Sequence, residues 1–110
     1  MNKLIKQIIK IADEEKIEIV SFSPIYREMK EMDLFLPLFR GASGNCNLEI
    51  DVVYLVFNEE GDNILIPVFK DEILEELIIK IDPKDISAML EICNNLEESE
   101  EIEINTQLYN

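Results

Sequence analysis

Residues 34–41 read LFLPLFRG, and residues 64–71 read ILIPVFKD. In each, apolar residues around a Leu or Ile run into a proline, an aliphatic residue, a phenylalanine and a base. How these two phrases fold decides the architecture. Both read as short apolar strands that deliver side chains into one core. Proline has no N–H, so Pro37 and Pro67 are expected at a strand edge, a strand end or a bulge. The base that follows each phrase then leaves for solvent. The flanking segments do not match at a fixed period, so the likeness reads as one packing solution reached twice and not as a duplication.

Outward from these phrases, residues 2–15 give a helix, with Leu4, Ile5, Ile8, Ile9 and Ala12 on one stripe. IEIVSF, 17–22, reads as a short strand. SPIYREMKEM, 23–32, reads as a helix with Ser23 as cap and Pro24 in its first turn. DLFLPLF, 33–39, is then a strand, and RGASGNCN, 40–47, a loop. LEIDVVYLVFN, 48–58, and NILIPVF, 63–69, form a hairpin about a turn at 59–62, where Gly61 is free to take positive φ. KDEILEEL gives a short helical turn, and IIKID, 78–82, a strand. Asp82 and Pro83 open a last helix. EESEE is a polar connector, IEIN, 102–105, closes an edge of the sheet, and 106–110 fray. The expected fold is therefore α+β: one domain over 1–110, a mostly antiparallel mixed sheet of four to six strands, with helices packed on one side.

The chain has 110 residues and a net charge of −14. Seven bases balance seven acids over residues 1–45. Residues 46–110 hold seventeen acids against Lys70, Lys80 and Lys84, which is the entire imbalance. Such a field disfavours direct binding to nucleic-acid phosphates or anionic lipid and favours a basic partner. The plainer reading is that the acidity keeps the protein soluble. No apolar run reaches the length of a membrane span, and Lys6 and Lys10 break the apolar stretch a signal peptide needs. The expected location is the cytoplasm. Cys46 and Cys93 are expected as reduced thiols, one exposed and one buried.

The order of parts resembles the enhanced-serine-sensitivity (SseB-type) N-terminal domain family over roughly residues 23 to 105. The segments that carry the likeness are LFLPLF, IPVFKDEILEEL, IIKIDPKDISAMLE and the closing IEIN. Lys70 stands where many members have Ser or Thr, and Thr106 where a Pro is more usual. The resemblance implies an α+β fold. That family has no agreed catalytic residues, so no site is carried over.

There is no histidine. That removes Ser-His and Cys-His pairs and the usual metal imidazoles. GASGN lacks the Lys-Ser/Thr of a phosphate loop. NEEGD, 58–62, lacks the ligand spacing and final Glu of a calcium loop. Nothing selects Glu75 and Glu76 from twenty-four acids as an acid–base pair. No neighbouring base or positive charge in sequence activates Cys46. The reading that remains is a non-enzymatic cytoplasmic interaction domain, without cofactor or metal, whose acidic C-terminal half meets a protein partner, possibly basic. Glu97, Glu98, Glu100, Glu101 and Tyr109 are the candidate contact residues; Tyr26 is a second candidate for facing solvent, but for both tyrosines packing at the core rim is the favoured reading. The chain is expected as a monomer or homodimer, with no membrane and no direct nucleic-acid binding. The alternatives are a small acidic inhibitor, an immunity protein that mimics phosphates, a secretion chaperone, or an enzyme working through carboxylates.

Overall fold

The two phrases fold differently. The computed structural model describes residues 3–19, 21–58 and 61–94. Its elements are α1 (Lys3–Glu14), β1 (Ser21–Tyr26), α2 (Lys30–Ser43), β2 (Val52–Phe57), β3 (Asn63–Phe69), β4 (Glu72–Ile73), a 3-10 turn (Glu75–Leu77), β5 (Ile79–Ile81) and a helix, α3, over residues 83–94. ILIPVF is strand, as expected, but LFLPLF lies inside α2. Side-chain branching separates them. Ile64, Ile66 and Val68 are β-branched and suit a pleated surface. Leu34, Leu36, Leu38, Phe35 and Phe39 are not, and they follow helix-forming Lys30, Glu31 and Met32.

Helical spacing gives α2 its buried stripe of Met32, Phe35 and Phe39. Pro37 faces solvent and cannot donate to the Asp33 carbonyl, which costs about 3 kcal/mol in a helix interior. Burying two phenylalanines and a methionine offsets that, at about 1.5–3 kcal/mol each. Met29 starts the helix with no side-chain cap, while Glu31 and Asp33 in the first turn suit the dipole. Gly44 ends it at φ 71°, its N–H donating to the Arg40 carbonyl at 3.0 Å. The expected loop 40–47 is therefore helix as far as Ser43. Among the described residues Gly44, and not Gly61, is the glycine with positive φ.

The segment before α2 is corrected as well. The strand is 21–26, not 17–22, and Ser23 and Pro24 lie within it instead of opening a helix. The Ser-Pro pair that resembles a helix start sits on an edge strand, where proline is also tolerated.

β1 pairs with β2, and β2 with β3, all antiparallel. The far edge of β3 is covered by β4 at Val68–Phe69 and by β5 at Asn63–Leu65, also antiparallel. The chain is thus an α+β domain, with a five-stranded antiparallel sheet among the described residues. Side chains alternate across it. Ile25, Val53, Leu55 and Leu65 meet Met32, Phe35 and Phe39 of α2 and Ile86 of α3. Val56, Ile64 and Ile66 meet Ile8 of α1, and Val52 and Val68 meet Leu4.

The helices therefore lie on both faces, not on one. That is why β3 is buried from Asn63 to Val68 without alternation: each face has its own cover. α1 ends in a Schellman motif. Lys16 takes φ 56°, its N–H reaches the Asp13 carbonyl at 3.1 Å, and the Ile17 N–H reaches Ala12 at 2.8 Å. α3 begins as expected: the Asp82 Oδ1 accepts the Lys84 N–H at 2.7 Å.

Candidate functional site

The second proline builds the candidate site. The Pro67 carbonyl accepts the Leu74 N–H at 2.9 Å, but its own nitrogen cannot return the bond. The ladder on that edge stops there. Val68 faces Ile73, whereas Leu65 faces Ile79: three steps on β3 match six on the returning chain. The three surplus residues are the 3-10 turn Glu75–Leu77. Where 70–77 was expected to be one helical turn, it is a strand fragment followed by this bulge.

The bulge shapes the surface. Asp71, Glu72, Glu75 and Glu76 are exposed, and Ile73, Leu74 and Leu77 are half-buried beneath them. Ile73, Leu74, Glu75, Glu76 and Leu77 line an open groove of 360 Å³. A second groove, shared with Lys3 and Gln7 of α1, adjoins it through Ile73 and Glu75. Among the described residues none of these four carboxylates is ion-paired, although Lys3 lines the adjoining groove with Asp71, Glu72 and Glu75. The edge therefore combines four carboxylates, which outnumber the neighbouring Lys3 and Lys70, with apolar anchor points.

Two αL residues, Lys70 at φ 51° and Asp71 at φ 63°, turn β3 into β4. Positive φ at both central residues marks a type I′ turn, which favours Asn-Gly and is strained for Lys-Asp. Asp51 supports it: Oδ2 accepts the Lys70 N–H and Oδ1 holds Arg27 Nη2, each at 2.7 Å. The Lys70 ammonium lies 5.1 Å from the centre of the Phe69 ring. On the α1 face, Tyr54 meets Phe22 edge-on at 6.2 Å. Burial pushes the Tyr54 phenol above its usual pKa, helped by Tyr26 and Asp71 nearby.

Glu97, Glu98, Glu100, Glu101 and Tyr109 lie outside the described residues, as does the expected strand 102–105. Tyr26 is exposed, against the favoured reading of packing at the core rim, while Cys46 is exposed and Cys93 buried as expected. Glu75 and Glu76 share the bulge and face solvent. Sequence reasoning did not single out the 71–77 edge. The signal was present: a proline within an otherwise continuous apolar strand, followed by two pairs of acids. No family model, curated protein or solved structure matches the chain.

Proposed function

We propose that the chain is a non-enzymatic interaction domain of the cytoplasm, and that its acidic edge at residues 71–77 receives a basic protein segment. The observation that carries the reading is this edge, where four exposed carboxylates, none of them ion-paired among the described residues, border Ile73, Leu74 and Leu77. Charge of this kind steers a basic partner, and the apolar residues supply the desolvated contact.

The test is capture from the native host's lysate at low and high salt. Three baits are compared: wild type, E72K/E75K/E76K, and a variant with Glu97, Glu98, Glu100 and Glu101 changed to Lys. The reading expects one partner, lost in high salt and lost to the edge variant. A partner held equally by wild type and edge variant, at either salt, contradicts it. Release of the partner by added DNA would favour the inhibitor reading, in which the acids stand in for phosphates.

A further inference from the structure

A second site lies between α2 and the segment entering β2. Arg27, Met32, Asp33, Leu36, Arg40, Glu49 and Ile50 line a groove of 290 Å³ there. Both arginines are anchored to one extended segment. Arg40 Nε donates to the Leu48 carbonyl at 3.2 Å, and Arg27 Nε donates to the Ile50 carbonyl at 3.4 Å. Anchoring through Nε fixes each guanidinium plane. It leaves both terminal nitrogens of Arg40 without a protein acceptor among the described residues. Arg27 is neutralised by Asp51.

Asp33 and Glu49 line the same groove, yet neither is within ion-pairing reach of Arg40. Asp33 and Arg40 stand seven residues apart on α2, about 10 Å along its axis, with Leu36 between them. Met32 and Ile50 are buried and form an apolar floor. The groove thus keeps both signs of charge apart over an apolar surface. A simple anion would find two carboxylates beside the arginine, and a simple cation would find the arginine.

We propose that this groove binds a small zwitterion with an aliphatic body, a free aliphatic amino acid or a short aliphatic peptide. The fork of Arg40 takes the carboxylate in two parallel hydrogen bonds. Asp33 or Glu49 takes the ammonium, and Met32, Leu36 and Ile50 take the aliphatic chain. This site shares no residue with the acidic edge, so either can fail alone.

Calorimetric titration of the full chain tests it with leucine, dileucine, N-acetylleucine and leucinamide. The expected result is saturable binding of leucine or dileucine, at about 1 mM or tighter, and whichever binds better names the source. N-acetylleucine lacks the ammonium and leucinamide the carboxylate, so each should bind at least about tenfold more weakly. R40Q should remove binding. D33N/E49Q, which spares the backbone anchors, should weaken it by a similar factor, with only the small drop in thermal midpoint that losing Asp33 from the first turn of α2 brings. No saturable binding of either zwitterion overturns the proposal. So does equal binding of the acetylated or amidated form, or binding that both variants leave unchanged.

Discussion

The Lys70 backbone N–H donates to the Asp51 carboxylate at 2.7 Å across 19 residues of sequence. The bond ties a strained two-residue turn to the segment entering β2, and the second oxygen of Asp51 adds Arg27 from the β1–α2 turn. Three connections are thus held by one side chain. D51A should destabilise the domain by about 1–2 kcal/mol. Most of that comes from the hydrogen bond to a charged acceptor, because the Arg27 pair is more than two-fifths exposed on both sides and contributes little. Urea unfolding measures it. A loss below a few tenths of a kcal/mol would mean the turn holds itself.

Lys16 occupies the left-handed position of the Schellman motif that ends α1, where glycine carries no steric penalty. K16G should raise stability by about 0.5–1 kcal/mol, read as a higher urea midpoint at unchanged slope. Destabilisation would show that Lys16 contributes something besides its backbone.

Pro24 protects an edge that no strand among the described residues covers. The Leu74 N–H bond to Pro67 directs the odd residues of β3 toward β4, which leaves the even ones for β2. Strand alternation then directs Phe22, Pro24 and Tyr26 of β1 outward. Pro24 has no N–H to offer there. Tyr26 is already occupied, its N–H by Met29 Sδ at 3.3 Å and its carbonyl by the Met29 N–H at 3.0 Å. Little of this edge remains for another chain to pair with. P24V restores a donor and should produce concentration-dependent self-association in sedimentation velocity. A variant that sediments as the wild type does, across the same concentrations, would place the protection elsewhere.

Tyr54 links the fold to alkaline pH. Its folded pKa lies above the unfolded value, so the folded state holds its proton longer. The stability it contributes is complete below about pH 10, the unfolded phenol value, and is lost as pH rises above it. Phenolate absorbance should show a late-titrating phase, and Y54F should remove it. A titration curve that Y54F leaves without any change in its late phase would contradict the assignment.

Much of the second half was legible in the sequence. The alternation in LEIDVVYLVFN gave the β2–β3 hairpin, and the Asp82-Pro83 start gave α3. The stripe Leu4–Ile8–Ala12 gave α1, although not the face it covers. The unbroken apolar run in β3 held that information, since a strand buried on every residue needs a cover on each side. Residues 17–43 misled because their local signals are ambiguous. Ser23-Pro24 marks a helix start and an edge strand equally well. α2 starts at Met29 without a capping side chain, and Pro37 argues against the helix that Phe35 and Phe39 impose through burial. The stop at Gly44 was readable, but only once α2 was known to run that far. The acidic edge was hidden for a different reason. It depends on the missing N–H of Pro67, whose effect appears only when the returning strand is laid beside β3.

The central structural claim is that one phrase folds as a helix and its near copy as a strand. Backbone carbon chemical shifts of the labelled protein test it most directly. The account predicts helical shifts across Leu34–Phe39, interrupted at most around Pro37, and extended shifts across Ile64–Val68. Extended shifts at both phrases would return Phe35 and Phe39 to a sheet, and would remove α2 together with the groove along its flank.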